Sequence, residues 1–181
     1  APMPGDIDLR AAICEKVKLL HSCVYNIDKE ITITAGATQA IFTVLAALVK
    51  KDDEVLIFTP AYDCYEPTIE LFGGKTRAVQ LEAPFYKPNW EKVEDQINNH
   101  TKLIIINTPH NPSGAVFSKD DLLQLQKLTE KYNLFVLSDE VYEHIIFDQQ
   151  IHYSVSKFKA LSKRSFVVAS FGKTFHNTGW K

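Results

Sequence analysis

Lys173 stands in the stretch SFGKTFHNTGWK, just after the apolar run SFVVAS and behind a serine and a glycine. A lysine amine is a nucleophile only when deprotonated, a state that a sheltered pocket favours, and its distinctive use is imine formation with a carbonyl compound. Read by itself, the plainer account of Lys173 is a surface lysine on a turn. Asp139 follows another apolar run, LFVLS, so its carboxylate is expected to emerge from a buried strand. A buried carboxylate needs a partner. That partner can be a helix end, a neighbouring basic side chain, or a protonated pyridine nitrogen, which the carboxylate keeps positive and therefore an electron sink.

Further residues of the same kind recur. Tyr142 lies three positions after Asp139, so a single helical turn would put both on one face; its hydroxyl suits a phenolate oxygen, and its plain alternative is a half-buried core tyrosine. NTPHNPSG supplies Asn107 and Asn111 in a stretch whose Asn-Pro and Ser-Gly pairs also read as an ordinary loop. Tyr62, in PAYDCY, offers a ring able to stack on a flat heterocycle or simply to pack. TAGATQA passes from a strand-like run through glycine into a helix, so the free N–H groups of Ala37 and Thr38 suit a phosphate. It is neither GxGxxG nor a Walker loop. Ser170 and Lys181 add a hydroxyl and a positive charge for the same anion. The six histidines show no metal spacing, and His144 and His152 read as ordinary.

The elements that must position these groups alternate along the chain. EITITAG, EVLIFTP, KTRAVQL, KLIIINTP, LFVLSDEV and SFVVASFG read as strands. ATQAIFTVLAALVKK, CYEPTIELFGG, NWEKVEDQINNH and SKDDLLQLQKLTEKYN read as helices, the last opened by a serine cap. Apolar strands alternating with helices imply an α/β fold of three layers, α/β/α, with a mainly parallel sheet covered on both faces. In such sheets ligands bind beyond the carboxyl ends of the strands, which is where Ala37, Thr38, Tyr62, Asn107, Asn111, Asp139, Tyr142, Ser170 and Lys173 fall.

Composition narrows the rest. The 181 residues suffice for one domain, and a net charge of −2 predicts no binding to nucleic acid or acidic membranes. No apolar run approaches the roughly 20 residues of a membrane helix, and APMPGDIDLR lacks the basic start and apolar stretch of a secretion signal. Three cysteines without CxxC spacing argue against disulfides or a zinc site. A reducing cytoplasm is the expected setting.

Taken together, TAGATQAIF, PAYDCYEP, NTPHNPSGAVF, SDEVYEHI and SFGKTFHNTGWK resemble, in order, the motifs of fold-type I pyridoxal-phosphate enzymes, specifically class I/II aminotransferases. The resemblance covers nearly the whole chain. It is strongest to the methionine and kynurenine–glutamine aminotransferase branch, since Lys181 stands where the aspartate aminotransferase branch usually carries arginine. It implies a Schiff base between Lys173 and pyridoxal phosphate, with Lys173 later moving the substrate's proton. It implies Asp139 on the ring nitrogen, Tyr142 and Asn111 on the ring oxygen, Asn107 beside the ring and Tyr62 stacked on it. Ala37, Thr38, Ser170 and Lys181 would hold the phosphate. Amino-acid and 2-oxo-acid substrates and a homodimer follow from the same likeness. Two other outcomes stay open: a cysteine-conjugate β-lyase, and a non-catalytic domain that senses the cofactor.

The departure is in extent. The family's chains are roughly twice as long, with an N-terminal arm and a C-terminal small domain whose arginine clamps the substrate carboxylate. Arg10, Arg77 and Arg164 match no such motif. The family's sheet is ordered 3-2-4-5-6-7-1, and a seventh strand would pair on both sides between SFVVAS and EITIT. The expectation is therefore a large cofactor-binding domain, residues 1–181, as a fragment lacking arm and small domain and inactive by itself.

Overall fold

The computed structural model describes residues 2–180. Five strands form one sheet: β1 (Glu54–Thr59), β2 (Lys75–Gln80), β3 (Thr101–Asn107), β4 (Phe135–Asp139) and β5 (Ser165–Val168). Their order is β2-β1-β3-β4-β5, and every neighbouring pair is parallel.

The continuous apolar strands are explained by burial on both faces. Leu56, Phe58, Ile104, Ile106 and Val136 point to one side, where Leu122, Leu125 and Leu128 of helix α5 (Lys119–Tyr132) and Val93 of α4 (Trp90–Asp95) meet them. Their sequence neighbours Val55, Ile57, Leu103, Ile105 and Leu137 point to the other side, against Ile41 and Leu45 of α2 (Ala37–Leu48) and Ile69 of α3 (Tyr65–Leu71). Alternation along each strand thus feeds two cores. The edge strand β2 is the polar one; Lys75, Arg77 and Gln80 are turned toward water, which blunts further pairing there.

Two expectations need correction. EITITAG forms no strand: Glu30–Gly36 is irregular, Ile33 N–H donates to Pro4 O at 2.9 Å, and Gly36 N–H turns back to Thr34 O. A strand exists only through a ladder partner, and among the described residues none lies beside this segment or beyond β5. The glycine turn before Lys173 is instead one turn of helix, α7 (Phe171–Thr174). A Cβ on Gly172 would stand 3.1 Å from Thr178 Cα, so glycine is what allows the chain to fold back so closely.

The sequence reading did not identify α1 (Ile7–His21). Asp6 caps it by accepting from Asp8 and Leu9 N–H, and Ser22 closes it in the left-handed conformation. Leu19 and Leu20 are exposed, so its apolar residues trace no clean stripe. A 3₁₀ turn (Val155–Lys157) and the short α6 (Lys159–Ser162) complete the fold. Among the described residues no helix is long and apolar enough to cross a membrane.

Candidate active site

The carboxyl ends of β1, β3, β4 and β5 and the start of α2 form one rim. Register places it: Asn107 pairs with Asp139, and Asp139 with Val168, so three strands end level. The loops that follow carry the candidate residues.

Asp139, the last residue of β4, is 3% exposed. Its Oδ2 accepts from the Tyr65 hydroxyl at 2.6 Å and its Oδ1 from Val141 N–H at 3.3 Å. No cation pairs with it among the described residues. Burial raises its pKa above the usual carboxylate range, against the pull of these two donors, and the charge of Glu140 adds to the rise. A buried carboxylate with hydrogen bonds but no counter-charge is an open half of an ion pair.

Asn107 is spent on positioning. Its Nδ2 donates to Asp139 O at 3.0 Å, while its Oδ1 accepts from Asn111 N–H at 2.6 Å. One amide therefore ties β3 to the end of β4 and holds the loop that presents Asn111. His110, which sequence reasoning passed over, completes the tie. Its Nε2 lies 2.9 Å from Pro60 O and its Nδ1 2.7 Å from Ser113 Oγ, so it links the loops after β1 and β3. Burial lowers its pKa, which favours the neutral ring. Tyr62, Tyr65, Asn107, His110 and Asn111 line a small cleft with Phe58, Ala61 and Ile105.

Tyr62 stands at the mouth of that cleft. Its hydroxyl lies 3.4 Å from Thr38 Oγ1, and its ring meets Tyr65 edge-on at 5.8 Å between centroids. Thr38 is in the first turn of α2. Gly36 caps that helix with φ 94° and ψ 165°, a conformation open in practice only to glycine, and no side chain bonds the helix's first N–H groups. Those donors, with the positive end of a twelve-residue helix, form an anion cradle.

On the far side of the rim, Lys173 Nζ sits 5.8 Å from the centroid of the Tyr142 ring. Tyr142 lies in the turn after Asp139, half-buried against α2's side of the core. Ser170 caps α7 through its backbone; its hydroxyl makes no capping bond, and no described contact joins it to Thr38. Lys181 lies outside the described residues.

The turn carrying Tyr142 is braced from behind. Glu143 accepts from Lys16 Nζ of α1 at 2.5 Å, and the Nε2 atoms of His21 and His144 both lie 3.7 Å from its oxygens. Burial pushes the Glu143 carboxyl up, but the neighbouring His21 and the hydrogen bond from Lys16 outweigh it and bring the pKa down to about 2. Glu140 accepts from Ser138 Oγ and Val155 N–H, and His152 Nε2 lies 3.0 Å from it. His152 lies in a loop, as the sequence suggests, with its side chain buried against Glu140. The neighbouring Glu140 and Glu143 gave no spacing signal in the sequence. A wider surface groove, lined by Glu130, Phe135, Lys159 and Arg164, opens at the amino ends of β4 and β5 and contains none of the candidate residues.

This arrangement suits a flat, phosphorylated heterocycle with a basic ring nitrogen: a helix start with free N–H groups beside Tyr62, and a buried carboxylate without a counter-charge among the described residues, with an amine elsewhere on the same rim. The family described as aminotransferase class I and II matches residues 1–181. Methionine aminotransferase of Escherichia coli is 44% identical over the whole chain, which covers 47% of that enzyme. Human kynurenine–oxoglutarate transaminase 3 is 37% identical over 98% of the chain and 41% of its own length. A crystal structure from E. coli, described as having a methionine aminotransferase function, superposes with a TM-score of 0.98 over all of this chain and 48% of its own. N-succinyldiaminopimelate aminotransferase of Mycobacterium tuberculosis superposes at 0.96, with 34% identity, over 99% of this chain and 47% of its own. The chain spans about half the length of the relatives it matches. With that extent, it belongs to the class I and II aminotransferases.

Proposed function

We propose that residues 1–181 are the cofactor-binding large domain of a pyridoxal-phosphate-dependent aminotransferase that moves the amino group of a methionine-like or aromatic L-amino acid to a 2-oxo acid. The observation that carries this reading is Asp139: a buried carboxylate without a counter-charge, on the same rim as an amine and a glycine-capped helix start. Each end of the cofactor finds a fitting group. A protonated ring nitrogen would supply the charge that Asp139 lacks, and the cradle opened by Gly36 admits a phosphate where any Cβ would strain the backbone.

Pyridoxal phosphate, when bound, supplies an electron sink for the charge left at the substrate's α-carbon. The chain's residues do the rest. Asp139 keeps the ring nitrogen protonated. The N–H groups of Ala37 and Thr38, the hydroxyl of Ser170 and the charge of Lys181 hold the phosphate. Tyr62 covers one face of the ring. Tyr142 and Asn111 bind the ring oxygen, and Asn107 keeps Asn111 and Asp139 in register. Lys173 Nζ would hold the aldehyde end of the cofactor and would serve as the base for the proton at the substrate's α-carbon, where proximity replaces a second-order encounter. The donor class rests on relatives named for methionine, kynurenine and aromatic amino acids. Three free cysteines fit a reducing cytoplasm, and we read the intact protein as a homodimer by family likeness.

Lys173→Ala, made in the protein that carries this chain, is expected to abolish both the visible absorbance of bound cofactor and amino transfer from methionine to 2-oxoglutarate. An unchanged spectrum would remove Lys173 as the anchor and the reading with it.

A further inference from the structure

Tyr65 lies in none of the roles assigned so far, yet its hydroxyl is the only side-chain donor on Asp139 among the described residues. The contact spans 74 positions of sequence at 2.6 Å and is buried. The ring has nowhere to go. It is 3% exposed, packs with Ile105, Leu137 and Val141, and meets Tyr62 edge-on. Its backbone opens α3, with Tyr65 N–H donating to Tyr62 O at 3.2 Å. Tyr65 therefore touches both the carboxylate assigned to the ring nitrogen and the aromatic ring assigned to the cofactor's face.

The titratable groups facing Asp139 are Tyr65, Cys64 and Glu140. Burial, with the charge of Asp139 next, raises the Tyr65 hydroxyl far above its ordinary value, and burial pushes the Cys64 thiol up to about 12. Both stay protonated at any working pH. Glu140 is occupied by Ser138, Val155 and His152. Tyr65 is thus a permanent donor, and Asp139 Oδ2 a permanent acceptor. Burial alone would make Asp139 a stronger base, and a stronger base would draw the ring proton onto itself, leaving a neutral ring that accepts electrons poorly. A hydrogen bond to the charged carboxylate works the other way.

We propose that Tyr65 is a positioning residue of the cofactor site: by donating to Asp139 Oδ2 it fixes the plane of that carboxylate and weakens its hold on the ring-nitrogen proton, so that the proton stays on the ring. The proposal rests on the reading of Asp139 as the ring nitrogen's partner. No bond is made or broken; the proton's position along the nitrogen–oxygen contact is what Tyr65 sets.

The test uses the cofactor-loaded protein that carries this chain, with pyridoxal phosphate isotope-labelled at the ring nitrogen and read by nuclear magnetic resonance. In wild type the nitrogen resonance is expected near the protonated position and short of its limit, as for a proton shared along the nitrogen–oxygen contact. In Tyr65→Phe it moves toward the neutral-pyridine position, corresponding to about a tenfold change in the proton's preference for the ring. Replacing Tyr65 with a ring-fluorinated tyrosine, a stronger donor with the ring's bulk nearly kept, moves the resonance the opposite way, and this substitution carries the test should the phenylalanine variant not fold. A merely structural Tyr65 would lower stability and leave the resonance in place. Wild-type resonances in both variants overturn the role of Tyr65 while leaving the cofactor reading intact. A wild-type protein that takes up no labelled cofactor, or holds it unprotonated, overturns both.

Discussion

At the scale of single residues, the role proposed for Asp139 sets stability against function. A carboxyl whose folded pKa is raised costs the fold stability at pH values above its unfolded range, because the charged form is the disfavoured one. Asp139→Asn removes that charge while leaving an oxygen for Tyr65. The cofactor-free variant is expected to unfold at the same or higher urea concentration than wild type at neutral pH. Its affinity for pyridoxal phosphate is expected to fall by tenfold or more, since a charge-assisted hydrogen bond is worth about 1.5–3 kcal/mol. Urea unfolding followed by cofactor titration checks both halves, and a variant that is less stable yet binds normally contradicts the assignment. The placement of Lys173, Asp139, Tyr142 and Tyr62 at or just beyond strand ends was legible in the sequence because each follows an apolar run. Tyr65 and His110 were not. Their roles depend on partners 74 and 50 positions away, and a tyrosine at the start of a helix or a histidine before Asn-Pro has nothing local to mark it.

At the scale of elements, local chemistry was the better guide wherever an element carries its own stop and start signals. Helix α5 is the clearest case. Ser118 Oγ accepts from Asp121 N–H while Asp121 Oδ2 accepts from Ser118 N–H, a reciprocal box that satisfies two otherwise orphaned donors. Ser118→Ala is expected to cost about 1 kcal/mol in chemical unfolding with no change in cofactor spectrum. A loss near zero would mean that the pocket of leucines beneath α5 sets the helix start without the cap. The strand at Glu30–Gly36 shows the opposite dependence. Its alternating β-branched residues satisfy every local criterion, but a strand's hydrogen bonds belong to its neighbour, and propensity cannot supply one. Helix α1 was missed for a related reason: it is held by its cap and by polar contacts to distant residues such as Glu143, not by an apolar stripe.

At the scale of the whole molecule, Glu143 joins the first helix to the wall of the site. Its pKa of about 2 lies below that of an unfolded glutamate, so its contribution is present above pH of about 4.5 and is lost as pH falls through about 2. The shift corresponds to about 3 kcal/mol at neutral pH, and to about 2 kcal/mol once screening at this partly solvated site is allowed for. Glu143→Gln is expected to lower stability by that amount at pH 7, with the gap to wild type closing steadily below pH 4. A gap that persists unchanged at pH 2.5 would show that Glu143 acts through shape rather than charge.

The Lys16–Glu143 bond joins residues 127 positions apart, and this orders events during synthesis. Lys16 and His21 leave the ribosome long before the residues they will clasp, and at about 5–20 residues per second the wait lasts several seconds or more. Helix α1 must spend that time without its anchor. The wall behind Tyr142 can close only after β4 has been made, so a nascent chain stalled before that point would expose α1 to chaperones and proteases.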